Sequence, residues 1–91
     1  MISPALQLQP TETVESGLAL LVPGVDFCAL WAAGADDFWM TVIGLRARLL
    51  EGLDPSRIIE LFSQGRQNEV RSCAQRLIMF DSLIREFVSE R

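Results

Sequence analysis

Apolar residues recur at steps of three and four along this chain from Asp26 to the C-terminus, and this spacing constrains the fold more than any other feature. Residues three and four apart share one face of an α-helix, whereas the side chains of a strand alternate between two faces. The sequence therefore predicts an all-α protein. The spacing further indicates three helices in a long-short-long order within residues 26–91.

Residues 1–25 lack such a stripe and hold three of the four prolines, Pro4, Pro10 and Pro23. Because proline disfavours the interior of helices and sheets, we assign this segment to an extended N-terminal arm. Residues 11–22 within it are ambiguous: a cap at Thr11 would start a short helix, but Thr13, Val14 and Gly17 weaken one.

The first long helix is predicted over residues 26–51, with Asp26 as its N-cap and Gly52 ending it. It carries two neighbouring apolar stripes, which are Cys28, Trp31, Ala35, Phe38, Val42, Leu45 and Leu49, and beside them Ala32, Trp39, Ile43 and Leu50. Two stripes predict a helix that is buried on most sides. Gly34 is a point where this helix could bend or break.

The short helix is predicted over residues 55–64, because Asp54 and Pro55 form a strong start signal. The second long helix is predicted over 68–90, with Asn68 as its cap. Its stripe consists of Val70, Cys73, Leu77, Phe80, Ile84 and Phe87. We expect the long helices to pack antiparallel with these stripes facing each other.

This packing predicts a core and leaves a second apolar surface. The expected core residues are Trp31, Phe38, Val42, Leu45, Leu49, Leu77, Phe80, Ile84 and Phe87. The apolar residues off the main stripes, which we expect to form a protein-binding or dimer face, are Trp39, Ile43, Leu50, Met79 and Leu83. Because 49% of the residues are hydrophobic in a chain of 91, the surplus predicts a homodimer.

The chain contains no His, Lys or Tyr and only two Cys, Cys28 and Cys73. Most acid–base catalysis and transition-metal binding use these residue types, so we expect no enzymatic activity, no cofactor and no metal. Both Cys lie on apolar stripes, so we expect two buried free thiols, which suit a reducing compartment. We expect a cytoplasmic protein, because no secretory signal is evident.

The net charge of −4 includes eight Arg, which form no basic stripe. Nucleic-acid binding depends on neutralising phosphates, so we do not expect it. No uncharged stretch approaches the roughly 20 apolar residues of a membrane-spanning helix. A protein partner is therefore the expected ligand.

The run Ala33-Gly34-Ala35-Asp36-Asp37-Phe38-Trp39, followed by Leu45-Arg46-Ala47-Arg48-Leu49-Leu50-Glu51-Gly52 and by the Gly65-Arg66 break, resembles small pseudomonad proteins of the QslA antiactivator type. The resemblance covers about residues 30–90. It implies a helical homodimer that binds the ligand-binding domain of a LuxR-type quorum-sensing activator and blocks that activator's dimerisation and DNA binding. A small helical chaperone of a secretion-system subunit is the alternative, and a structural assembly subunit is a third reading.

Overall fold

The computed structural model describes residues 10–91, and side chains from residue 14 onward. This part of the chain forms five helices and no strand: α1 Pro10–Leu21, α2 Phe27–Ala33, α3 Ala35–Glu51, α4 Pro55–Ser63 and α5 Gln67–Ser89. The prediction of an all-α fold is confirmed. The count of three helices is wrong, because α1 was assigned to an arm and the first long helix is divided.

Helix α1 occupies the part of the predicted N-terminal arm that the sequence left open between a short helix and an extended segment. Residues 1–9 of the arm lie outside the described part. Pro10 occupies the first position of α1, where its missing N–H breaks no helical hydrogen bond. Val14 and Leu18, one turn apart, are buried in the core, and α1 packs against α5. Gly17 permits this approach, since a Cβ there would lie 3.1 Å from Leu83 Cδ1. Tertiary packing thus offsets the weak helix propensity of α1.

The predicted helix over residues 26–51 is broken at Gly34. This glycine has φ 144° and ψ 153°, a backbone conformation that residues with a Cβ rarely adopt. The break separates α2 from α3, and the two helices pack against each other. Asp26 is the N-cap as predicted, and its Oδ1 accepts a hydrogen bond from the Ala29 N–H at 3.1 Å.

The start of α4 follows the predicted signal. Asp54 Oδ2 accepts a hydrogen bond from the Ser56 N–H at 3.2 Å, and Pro55 is the first helical residue. Helix α5 begins at Gln67, one residue before the predicted start. Its N-cap position is held by Arg66, so the predicted capping role of Asn68 is wrong.

The core lies where α1, α2, α3 and the C-terminal half of α5 meet. It consists of Val14, Leu18, Phe27, Phe38, Val42, Phe80, Ile84 and Phe87. The Phe38 and Phe87 rings stack with centroids 5.5 Å apart, and Trp31 meets Phe38 edge-on at 5.1 Å. Aromatic pairs of these geometries add stability beyond the apolar area that they bury.

The predicted core residues divide into three groups. Those buried in the core are Phe38, Val42, Phe80, Ile84 and Phe87. Three half-buried residues, Trp31, Leu45 and Leu49, pack against it. Leu77 is half-buried outside this cluster, because it lies on the N-terminal half of α5, beyond the point where the rings meet.

Candidate protein-binding site

Helix α3 presents a row of exposed apolar residues on the side away from the core. Met40 is 73% exposed, Ile43 66% and Leu50 41%, and Ala47 is also exposed. These four residues, called here the α3 ridge, are spaced 3-4-3. That spacing is typical of helix seams that pack against another helix.

A groove runs beside the ridge between α3 and the C-terminal half of α5, with a volume of about 590 Å³. The residues that line this α3–α5 groove are Trp39, Val42, Ile43, Arg46, Asp81, Ile84, Arg85, Val88 and Ser89. The two helices run antiparallel: Phe38 near the start of α3 stacks on Phe87, whereas Arg46 further along α3 pairs with Asp81, which precedes Phe87 on α5. Val42 and Ile84 are buried, whereas Trp39 and Ile43 are exposed, so the groove has an apolar floor and an apolar wall.

Arg46 and Asp81 join α3 to α5 by a two-pronged ion pair. Arg46 Nε donates to Asp81 Oδ1 at 3.0 Å, and Arg46 Nη2 donates to Asp81 Oδ2 at 3.1 Å. The hydrogen bonds and charge of Asp81 raise the pKa of Arg46. The spacing of Asp81 and Arg85 suits an ion pair within α5, but the structure uses the Asp81 carboxylate for Arg46 instead.

A second hollow lies at the turn between α3 and α4, with a volume of about 540 Å³. The residues that line it are Ala47, Leu50, Glu51, Leu53, Asp54 and Pro55. Since Ala47 and Leu50 belong to the α3 ridge, the exposed apolar surface continues from the groove to this turn. On α4, Ile59 is 70% and Phe62 52% exposed.

The five residues predicted to bind a protein or to dimerise came from two helices, with Met79 and Leu83 as a second contact beside Trp39, Ile43 and Leu50, and the structure places the two groups apart. Trp39 and Ile43 line the α3–α5 groove, and Leu50 lies on the same side of α3 at the α3–α4 turn. Met79 is exposed but does not line the groove. Leu83 is half-buried against the core beneath Gly17, so its assignment to this face is corrected. Its neighbour α1 had no clear signature in the sequence, which is why its burial was missed.

Five groove residues were not among the predicted face or core residues: Arg46, Asp81, Arg85, Val88 and Ser89. Val88 lies one turn after Ile84, and extending the α5 stripe by that turn would have found it. Arg85 could not be recognised as a groove residue from the sequence, because its spacing pairs it with Asp81. In the structure Asp81 pairs instead with Arg46, 35 positions away.

Cys28 is exposed, which corrects the prediction of a buried thiol. Its Sγ donates a hydrogen bond to Glu15 Oε1 at 3.0 Å, and Arg91 Nη2 lies 3.3 Å from the same oxygen and 3.4 Å from Sγ. The hydrogen bond to Glu15 is the main reason why the pKa of Cys28 is raised; desolvation and the charge of Glu15 add to it, and Arg91 opposes it. Because the thiolate is the nucleophile, this arrangement weakens Cys28 as one.

Cys73 is half-buried and also a free thiol. It lies under the end of α3, where a Cβ on Gly52 would come within 3.1 Å of its Sγ. This contact explains why a glycine suits the end of α3. The Cys73 side chain fills space in the packing, as an apolar residue would.

Among the side chains of residues 14–91, no cluster of three or more Cys, Asp or Glu could hold a metal ion. None of the described helices has the length and apolar character needed to cross a membrane. The chain matches no protein-family model, no curated protein and no solved structure in the comparisons made.

Proposed function

We propose that this chain is a non-enzymatic cytoplasmic regulatory protein that binds and sequesters a protein partner through the α3–α5 groove. The observation that carries the proposal is the apolar groove with Trp39 on its wall, next to a ridge of exposed apolar residues. Contiguous exposed apolar surface is typical of interaction sites. Trp is enriched among the residues that dominate binding energy, particularly where a pocket surrounds it.

An amphipathic helix is the ligand that fits this surface. A groove between two antiparallel helices accepts a third helix whose apolar residues recur at three- and four-residue steps. Val42 and Ile84 offer an apolar floor to such residues, and Trp39 offers a ring face or edge. A helix that a partner uses for its own dimerisation has the required pattern, and its capture would prevent that dimerisation.

The proposed target is the ligand-binding domain of a LuxR-type quorum-sensing activator, whose dimerisation and DNA binding would be blocked. This part of the proposal depends on the resemblance to QslA-type antiactivators. Both runs that carry the resemblance, residues 33–39 and 45–52, cover much of α3, which supplies the ridge and one wall of the groove.

We further propose a homodimer in which two copies pair antiparallel along the α3 ridge. About a centre near residue 45, Met40 of one copy faces Leu50 of the other, and Ile43 faces Ala47, so a large side chain meets a small one at the two central positions. Charge favours this direction: residues 10–45 carry five acids and no base, whereas residues 46–78 carry six Arg and four acids. Antiparallel pairing places the acidic end of each copy near the basic end of the other.

The test of partner binding uses the tagged chain co-expressed with a LuxR-type ligand-binding domain. Wild-type protein is expected to retain the domain on an affinity column and to reduce DNA binding by the full activator. Trp39→Ala should lower this affinity at least tenfold, which is typical of a central aromatic anchor. The matched control is Leu20→Ala, because Leu20 is 85% exposed on α1 and lies outside the groove.

The oligomer is tested separately by light scattering after gel filtration. Ala47→Asp should convert dimers to monomers, since it places a charge against Ile43 in the centre of the paired ridges, and Ala47 does not line the α3–α5 groove. If Trp39→Ala leaves partner binding intact, the α3–α5 groove is assigned wrongly as the binding site. Selective retention of a secretion-system subunit, in place of the activator domain, would support the chaperone alternative.

A further inference from the structure

The charged residues that line the α3–α5 groove differ in whether another residue of the chain neutralises their charge. Arg46 and Asp81 neutralise each other through hydrogen bonds that engage both carboxylate oxygens. Arg85 also lines the groove, and among the described side chains, residues 14–91, no salt bridge includes it. The groove therefore carries one unneutralised positive charge, in a chain whose net charge is −4.

The position of Arg85 follows from the helical repeat of α5. Arg85 lies one turn beyond Asp81 and next to Ile84, so its guanidinium stands at the edge of the apolar floor. Asp81 would be its natural partner at this spacing, but Arg46 holds that carboxylate in a geometry that suits a guanidinium closely. The cross-helix pair thus leaves Arg85 available to a ligand in the groove.

We infer that the groove selects a partner helix that carries a Glu or Asp beside its apolar anchors, with Arg85 as the specificity-determining residue. This inference rests on the proposed function, because it concerns the occupant of the same groove. The apolar floor and Trp39 supply the affinity for any amphipathic helix of suitable shape. Arg85 then distinguishes an acidic flank from a basic one.

The physical reason lies in the partial removal of water when a helix fills the groove. A carboxylate beside Arg85 forms a charge-assisted hydrogen bond, whereas a Lys there meets a like charge with little water between them. Charges more than about 8–10 Å from Arg85 are screened at physiological salt, so acidic residues far from the groove contribute little to this choice. Local pairing rather than net charge therefore decides which helix binds.

The test uses two fluorescein-labelled synthetic helices of about 18 residues, or five turns. Both carry the same Leu residues at i, i+4, i+7 and i+11, and they differ by Glu or Lys at the single flanking position i+3. Fluorescence anisotropy measures the affinity of each for the full chain. Wild-type protein is expected to prefer the Glu peptide by roughly fivefold, the upper range for a partly exposed ion pair.

Substitutions of Arg85 test whether this residue causes the preference for the Glu peptide. Arg85→Gln should bind both peptides equally, and Arg85→Glu should prefer the Lys peptide. The control is Arg76→Glu, because Arg76 is exposed on α5 and does not line the groove, so the same change of charge should leave the preference intact. Circular dichroism confirms that each variant keeps its helices.

The outcomes separate this inference from the proposed function. Equal wild-type affinity for the two peptides, or an Arg85→Glu variant that still prefers Glu, would overturn the role of Arg85 and leave helix docking in place. Failure of both peptides to bind wild-type protein at about 1 mM would overturn the groove as a helix-docking site and the inference with it.

Discussion

The two ends of this molecule differ in how many side chains they bury. The aromatic end, formed by α1, α2, the start of α3 and the C-terminal half of α5, contains the stacked and edge-on rings of the core. The α4 end is formed by the end of α3, α4 and the N-terminal half of α5. Within residues 43–79, Leu61 is the single buried side chain.

This difference separates the origin of stability from the surface available for binding. Hydrophobic stabilisation scales with the apolar area removed from water, so the aromatic end supplies most of it. Segments with few buried contacts open locally at low cost. The α3–α5 groove adjoins the buried rings at Val42 and Ile84, so its floor is rigid, whereas the ridge continues toward the α4 end. The proposed binding surface spans both regions, with its floor against the buried rings and its edge where few side chains are buried.

The largest expected effect is at the centre of the aromatic end. Phe38→Ala should lower the free energy of unfolding by about 3–5 kcal/mol, because Phe38 is fully buried and its loss leaves a cavity between Trp31 and Phe87. Urea unfolding followed by circular dichroism measures this. Met40→Ala, on the exposed side of the same helix, should change stability by no more than about 0.5 kcal/mol. Similar losses for both variants would contradict the burial of Phe38 and the exposure of Met40.

At the α4 end, Leu61→Ala should cost about 2 kcal/mol, the lower limit for a buried Leu. Hydrogen exchange should locate the effect: amides of α4 exchange faster in this variant, while those of α1 and α3 change little. Ile59→Ala serves as the control, because Ile59 is 70% exposed on the same helix. Uniformly faster exchange through all helices would show that the two ends unfold together.

Substitutions at two glycines, one between α2 and α3 and one inside α3, should have smaller and opposite effects on the free energy of unfolding. Gly34→Ala should destabilise the protein by about 1–3 kcal/mol, because its φ of 144° is strained for a residue with a Cβ. Gly44→Ala should stabilise it by up to about 1 kcal/mol, since Gly44 lies inside α3 and a Cβ there meets nothing within 4 Å. Thermal melts compare both with wild type. Stabilisation by Gly34→Ala would mean that α2 and α3 form one continuous helix.

The smallest expected effect is at the ion pair where the two ends meet. Arg46→Gln removes the pair with Asp81, whose side chain is about a third exposed while that of Arg46 is nearly half exposed. Exposed pairs are weak and screened by salt. We therefore expect a small loss of stability at about 10 mM NaCl that disappears at about 1 M. An equal loss at both salt concentrations would indicate a packing role for the Arg46 stem.

Local signals in the sequence predicted the α4 end well and the aromatic end less well. The Asp54-Pro55 start of α4 depends on neighbouring residues alone, so its boundary could be predicted to within a residue. Helix α1 could not, because Val14 and Leu18 are stabilised by α5, some 65 positions further along the chain. In the candidate site, the exposure of Trp39 and Ile43 followed from their position off the main stripe. The availability of Arg85 did not, since it depends on a contact between distant residues.

The packing of α1 against α5 has a consequence for how the protein is made. Glu15 and Arg91 are 76 positions apart, yet they form an ion pair, and Leu83 lies beneath Gly17. During synthesis α1 leaves the ribosome first, and its apolar face has no cover until α5 has emerged. Most all-helical domains of this size are dominated by local contacts and need no such wait. For this chain, the core should be completed only after α5 has been translated. Until then the apolar face of α1 is exposed, and we expect chaperones to bind it.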